Sequence, residues 1–252
     1  EITSIQAKKQ RSLKNENMAE NHSRLRRRHP RGSRVSMREV MQQVYLWMMA
    51  GLGLSALVAV LLATVLTEAL VPLLLPAVVM ELVLVLYLSM RITKMSAERA
   101  TTVYLAYAAL NGVTLATIFF WASLTDIWLA LFATGAMFAA MSIIGFTTNV
   151  DLSGMRSYLL MGLIGLIVAS VVNLFLASSA LYWLVTYAGV ILFVGLTAYD
   201  TQWIKRQAEV LEIQGVNSGA AAVRQVAIIG ALKLYLDFVN LFLYILRIVN
   251  NR

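Results

Sequence analysis

The sequence predicts an all-α integral membrane protein with seven transmembrane helices. Of its 252 residues, 60% are hydrophobic and only 13% are charged, and the mean hydropathy is +0.73. A typical soluble domain has about 25% charged residues, so this composition excludes that class. The apolar runs are long and lack the alternation that a polar lumen imposes on barrel strands, which favours helices over a transmembrane β-barrel.

Each helix is predicted from an apolar run close to the roughly 20 residues that cross the hydrocarbon core. The runs cover residues 46–66, 73–90, 103–124, 128–147, 158–177, 181–203 and 227–249. Pro72 and Pro76 lie at the start of the second helix, where proline is tolerated best. Tryptophans lie near the predicted helix ends, where membrane interfaces enrich aromatic residues: Trp47, Trp121, Trp128, Trp183 and Trp203. The chain therefore divides into a basic, disordered segment, 1–44, and a transmembrane domain, 45–252.

Basic residues predict the orientation, because Lys and Arg collect in short cytoplasmic loops. They concentrate in the N-terminal segment and in every second loop, whereas the turns near Glu68, Asp126 and Ser178 have none. The N-terminus is therefore expected in the cytoplasm, although Arg247 and Arg252 at the end of the seventh helix do not fit this alternation. Orientation also accounts for the net charge of +8, so nucleic acid is not expected as a partner. The chain has no cysteine, which excludes disulfides and thiolate chemistry.

Two aspartates within the apolar helices are the candidate functional residues. Asp200 lies at the inner end of the sixth helix, and Asp237 lies inside the seventh. Carboxylates at membrane depth are costly, so they normally pair and mark an ion or proton pathway. Asp237 belongs to a polar stripe along one helical face that also contains Lys233, Asn240, Tyr244 and Arg247. The competing interpretation of this stripe is a hydrogen-bond network that only holds the bundle together.

Two neighbouring carboxyls in a poorly solvated site cannot both ionise easily, so the pair is expected to titrate as a unit and sense pH. Together with Glu81 they offer the carboxylate oxygens that calcium prefers, with Asn240 and Tyr199 as further pathway candidates. Tight calcium binding needs about six to eight oxygens. This set is too sparse for that, which favours a weak calcium site and a leak rather than a store. Apart from calcium as the transported ion, no cofactor is expected.

Two segments carry a resemblance to a known family. VTYAGVILFVGLTAYDTQ at 185–202 and LYLDFVNLFLYILRI at 234–248 are similar to the last two helices of the Bax inhibitor-1 family, supported by MSIIGFTTNVDLSGM at 141–155. The resemblance covers residues 37–250. It implies six helices around a central, less hydrophobic seventh, and a pH-sensitive calcium leak. It also implies an aspartate pair, Asp200 and Asp237, as sensor and Arg91 as its latch.

The sequence departs from the family at two places. Lys233 stands one turn before Asp237, where an ion pair with that carboxylate is expected to neutralise Asp237 or compete with Asp200, and so to modulate the sensor. The segment from Lys205 to Arg224 looks like a longer loop than usual, with a flexible QGVNSGAAA stretch. The entry to the seventh helix is therefore expected to differ.

Other functional classes were weighed against the same residues. An intramembrane aspartyl protease is disfavoured for two reasons. The second aspartate of such proteases belongs to a GxGD motif, whereas Asp237 lies in LYLD. They also have a PAL motif, and no proline follows Pro76 in this chain to form one. A proton-coupled antiporter is disfavoured because no internal repeat is visible. A regulator that binds membrane proteases or cell-death proteins stays open as the alternative. The expected protein is therefore a non-enzymatic calcium leak channel of a prokaryotic cytoplasmic membrane, with lipid, calcium and protons as its partners.

Overall fold

The computed structural model of the protein describes residues 36–65, 71–91, 95–214 and 220–251. Its α-helices are named in chain order: α1 Met37–Val65, α2 Val71–Arg91, α3 Ala97–Leu115, α4 Leu124–Thr147, α5 Arg156–Leu176, α6 Ser179–Gln214 and α7 Ala220–Asn250. Short 3-10 helices follow α3 at Ala116–Phe120 and precede α5 at Leu152–Met155. The described part of the chain contains no β-strand, which confirms the all-α class.

The helices have the length and the surface of membrane-spanning helices. Six of those described are long and apolar enough to cross a membrane, and α2 contains a shorter apolar stretch, Leu74–Leu88. Large apolar side chains are exposed on the outside of the bundle, such as Phe132 at 79% and Leu174 at 81% exposure. Continuous apolar surface of this kind needs an apolar surrounding. The chain is therefore an integral membrane protein.

Helix α1 begins at Met37, well before the predicted start at residue 46. The Ser36 hydroxyl accepts a hydrogen bond from the Glu39 backbone N–H at 3.2 Å, as an N-terminal cap does. Val40 and Val44 in the first turns are fully buried. The predicted domain boundary at residue 44 thus lies inside a helix, while residues 1–35 and the predicted turn near Glu68 lie outside the described residues.

The connection between α6 and α7 is shorter than the sequence suggested. Helix α6 continues to Gln214 and α7 already begins at Ala220, so most of the predicted loop from Lys205 to Arg224 is helical. These extensions persist because Ala208, Leu211 and Val223 are buried against Val40 of α1. Burial of apolar side chains, rather than the membrane, stabilises these helix ends.

Helix α7 is the most buried of the six apolar helices. In its most apolar stretch 61% of the residues are buried, against at most 39% in the others. It packs against α1, α3, α4 and α6. Its mean hydropathy of 1.8 is lower than that of α1, α4 and α5, equal to that of α6 and higher only than the 1.6 of α3 with its 3-10 extension. Helix α7 thus presents polar side chains to other helices instead of to lipid.

Candidate functional site

Asp200 is a buried carboxylate that is paired across helices. It lies in α6 with 5% of its surface exposed. Its Oδ1 accepts a hydrogen bond from the Lys233 ammonium of α7, with 2.7 Å between Nζ and Oδ1. The same ammonium lies 5.1 Å from the centre of the Trp203 ring, close enough for a cation–π interaction. The charge of Asp200 is therefore compensated within the bundle.

The packing of α6 on α7 explains this pairing. Gly230 lies against Ile204 and Gly189 lies against the Tyr244 ring, so the two helices run antiparallel in a fixed register. A Cβ atom added to Gly189 would lie 2.6 Å from Tyr244 Cε2, so only glycine permits this approach. The register places Asp200 opposite Lys233. Asp237 then follows one turn further along α7.

Asp237 is a buried carboxyl without a hydrogen bond to one of its oxygens. Only 3% of its surface is exposed, and its Oδ2 has no hydrogen-bond partner in the described part of the chain. It lies one helical turn along α7 from Lys233, whose ammonium binds Asp200. An ionised carboxylate is costly when it is buried without a partner. Asp237 is therefore stable as the neutral acid or opposite a cation.

The expected partner of Lys233 was wrong. The spacing of one turn on α7 predicted a pair with Asp237, whereas the structure pairs the lysine with Asp200. Side chains one turn apart on a helix can pair, but the register of α6 against α7 places the Asp200 carboxylate within hydrogen-bond distance of the Lys233 ammonium. The lysine thus joins α6 to α7.

Glu81 belongs to a different polar cluster. Its Oε1 accepts hydrogen bonds from Thr114 Oγ1 at 2.8 Å and Asn111 Nδ2 at 3.3 Å. The Oδ1 of Asn111 accepts from the Tyr235 hydroxyl at 2.8 Å, and Tyr235 also bonds Ser55 Oγ at 2.7 Å. This Glu81 cluster links α2, α3, α7 and α1. Within the described part of the chain, none of its hydrogen bonds reaches Asp200 or Asp237.

Sequence reasoning missed Asn111, Thr114, Tyr235 and Ser55 because it examined acids and bases first. The signal was present, since each is a polar residue within an apolar helix and must find a partner inside the bundle. Ser55 shows this most clearly, because its hydroxyl lies 2.6 Å from the backbone oxygen of Ala108 as well as 2.7 Å from the Tyr235 hydroxyl, and its single proton is donated to one of them at a time.

Three other predicted site residues do not join the aspartates. Arg91 is exposed and forms no hydrogen bond or ion pair with any described residue, and its helix α2 packs chiefly against α3. Asn240 donates to the backbone oxygen of Leu236 at 2.8 Å, within its own helix. Tyr199 is half-buried beside Asp200. The latch and pathway roles of these residues stay predictions.

The donor set fits a hard cation only weakly. The described residues contain no group of three or more His, Cys, Asp or Glu placed to hold a metal ion. Asp200 and Asp237 supply at most four carboxylate oxygens, one of which already binds Lys233. Calcium takes about six to eight oxygens, so most ligands would come from water or backbone.

Comparison with known proteins identifies the family. A family model described as "Inhibitor of apoptosis-promoting Bax1" matches residues 37–252. The inner membrane protein YbhL of Escherichia coli K12 is 45% identical over 224 residues, which cover 87% of this chain and 94% of YbhL. A Deinococcus radiodurans protein is 42% identical over 218 residues, which cover 86% of this chain and 92% of that protein. The chain therefore belongs to the Bax inhibitor-1 family.

Proposed function

We propose that this protein is a pH-responsive calcium leak channel of a prokaryotic inner membrane, gated by protonation of Asp200 and Asp237. The observation that carries the proposal is the ion pair of the buried Asp200 of α6 with Lys233 of α7, with the buried Asp237 carboxyl one turn further along α7, inside helices long and apolar enough to cross a membrane. Groups of this kind are too costly at membrane depth to be kept for packing alone. The name of the relative YbhL supports the inner membrane as the location.

Protons act on this site through its charge. While Asp200 is ionised it holds the Lys233 ammonium, and the two charges largely cancel. Once both carboxyls are protonated, Lys233 loses its partner and the attraction that closes α6 onto α7 weakens. A cation pathway that is closed by this contact therefore opens as the carboxyls take up protons, and we propose this sign for the pH response.

Further buried polar atoms support a pathway beside α7. Ser142 Oγ of α4, Thr201 Oγ1 of α6 and Asp237 Oδ2 of α7 are buried without hydrogen-bond partners in the described part of the chain. These three helices pack against each other. Buried polar atoms are normally hydrogen-bonded, so these atoms are where water or a cation would bind. In this proposal the other six helices surround α7 and shield the pathway from lipid.

Calcium flux by the purified protein tests the proposal directly. The full-length chain is reconstituted in liposomes that contain a calcium indicator, and flux is followed at several pH values. We expect flux that increases on acidification. A protein that acts only by binding other membrane proteins, the alternative role, gives no flux above protein-free liposomes at any pH.

A further inference from the structure

Lys233 holds the position that an external cation would take at the carboxyl pair. Its Nζ lies 2.7 Å from Asp200 Oδ1 and 5.1 Å from the centre of the Trp203 ring. Asp237 lies one turn further along the same helix, and its Oδ2 has no hydrogen-bond partner among the described residues. The ammonium is therefore adjacent to both carboxyls while it hydrogen-bonds only Asp200.

A divalent cation would use the same oxygens better than the lysine does. An ammonium is a single charge with three N–H donors, and here one carboxylate oxygen accepts from it. A hard divalent cation carries twice the charge and coordinates several carboxylate oxygens at once. The buried and unpartnered Asp237 Oδ2 is the additional oxygen that such an ion would gain.

Lys233 can leave the site without a change of the helices. Its side chain is 34% exposed, whereas that of Asp200 is 7% exposed, so the lysine stem reaches the site from a more open side. Lysine has a flexible four-carbon stem and extends readily towards water. A change of side-chain rotamer is therefore the movement by which Lys233 would release Asp200.

We propose that Lys233 is a tethered counter-ion that occupies the cation site of Asp200 and Asp237, so that a divalent cation binds there only by displacing the ammonium. The inference rests on the proposed function, because it takes these carboxyls as the cation site. It deepens that function, because Lys233 then determines how tightly the site binds a cation. The lysine keeps cation binding weak, as a leak requires, since a tightly held ion would not leave.

Terbium(III), a hard cation whose luminescence is sensitised by a nearby indole such as that of Trp203, tests this inference. The full-length protein in detergent is titrated with terbium, and calcium is then added as competitor. We expect Lys233→Met to bind terbium at least tenfold more tightly than the wild type. The tightening should vanish in the double variant Lys233→Met with Asp200→Asn. Lys233→Gln is measured in parallel so that the result does not depend on the folding of one variant.

Two matched variants separate this effect from a general loss of positive charge. Lys205→Met removes a lysine of α6 that donates to the Phe146 backbone oxygen at 2.9 Å, and it should leave terbium affinity unchanged. Lys233→Arg keeps the charge and should bind as weakly as the wild type. Equal affinity of wild type, Lys233→Met and Lys233→Gln overturns the inference. So does a tightening that persists when Asp200 is Asn.

The terbium titration measures binding and needs no ion gradient. It therefore tests the role of Lys233 independently of the calcium leak. Tighter binding by Lys233→Met together with no calcium flux in liposomes defeats the leak function and leaves the tethered counter-ion in place. Flux that depends on pH together with unchanged terbium affinity defeats the tethered counter-ion and leaves the leak.

Discussion

A single hydroxyl, that of Tyr235, joins three helices. It donates to Asn111 Oδ1 of α3 at 2.8 Å and bonds Ser55 Oγ of α1 at 2.7 Å, and the whole residue is buried. The rings of Tyr104 and Tyr107 pack edge-on against its ring, with centroids 5.9 Å and 6.0 Å away. The hydroxyl therefore fixes the position of α7 between α1 and α3.

Tyr235→Phe should destabilise the protein by about 1–3 kcal/mol, because it leaves a buried oxygen of Asn111 without its donor. Tyr107→Phe is the control, since this tyrosine is equally buried but its hydroxyl makes no hydrogen bond to a described residue. It should change stability by less than about 0.5 kcal/mol. The stability of both variants is measured by unfolding in detergent, monitored by the circular dichroism of the helices. Equal losses of stability in the two variants would contradict the role given to the Tyr235 hydroxyl.

Asp151 is an acid outside the membrane-spanning helices that should not sense pH in the physiological range. The backbone N–H of Ser153, followed by the Arg206 guanidinium, lowers the pKa of Asp151 to about 2. Because the folded pKa is below that of the unfolded chain, its stabilising contribution is present above about pH 4 and is lost as pH falls towards 2. Between about pH 5 and 8 Asp151 stays ionised.

Asp151→Asn should therefore leave the midpoint of any pH-dependent calcium flux between pH 5 and 8 unchanged. The measurement is the flux profile of this variant beside the wild type in the same liposomes. A shifted midpoint would mean that the contact between Asp151 and Arg206, which ties the α4–α5 connection to α6, takes part in gating.

At the residue scale, the sequence predicts which acids are buried but not which residues they contact. The importance of Asp200 and Asp237 followed from the cost of burying charge, and burial is what the structure shows. The partner of Lys233 depends on the register of α6 against α7, which no pattern within α7 contains. The same limit applies to Glu81, whose partners come from a different helix.

At the scale of elements, α4 and α6 approach each other closely at Gly145. A Cβ atom added there would collide with the backbone oxygen of Ala198, and backbone cannot move aside as a flexible side chain can. Close approach of this kind is how small residues pack helices in membranes. The contact sets the height of α4 beside the segment of α6 that contains Asp200.

Gly145→Ala should therefore destabilise the protein, although alanine favours helix formation over glycine by about 1 kcal/mol. Gly135→Ala on the same helix is the matched control, because nothing lies within 4 Å of an added Cβ there. It should be neutral or stabilising. Thermal unfolding of the two variants in detergent gives the comparison. A neutral Gly145→Ala would show that α4 and α6 can separate without cost.

The existence and type of the helices could be predicted from the apolar runs, because the bilayer fixes the length of a span. The ends could not. Hydropathy detects the part of a helix in the membrane, whereas α1, α6 and α7 extend further through contacts among Val40, Ala208 and Leu211. Such contacts join residues far apart in sequence and leave no periodic signal in any one segment.

At the scale of the whole molecule, the latch role of Arg91 requires a movement. Its helix packs chiefly against α3, and the guanidinium is exposed. An exposed ion pair contributes less than about 1 kcal/mol, so an effective latch must bring Arg91 to a partly buried carboxylate. We propose that this occurs in a second conformation of the bundle, in which α2 moves towards α6 and α7.

Arg91→Ala should then flatten the pH dependence of calcium flux and leave it near the unlatched level across the range. Arg99→Ala, which removes an exposed arginine from the first turn of α3, is the control and should keep the wild-type profile. If Arg91→Ala also keeps that profile, the arginine serves only to orient the protein in the membrane.

The central claim is that protons act on calcium flux through the buried carboxyl pair, and Asp200→Asn tests it most directly. Asparagine keeps the size of the side chain but cannot ionise, so it cannot hold the Lys233 ammonium by charge at any pH. Flux is measured in liposomes from about pH 5 to 8, with wild type and Asp151→Asn as references. We predict that both references respond to pH and that Asp200→Asn gives the same high flux at every pH. An Asp200→Asn protein with the wild-type pH profile would contradict the account.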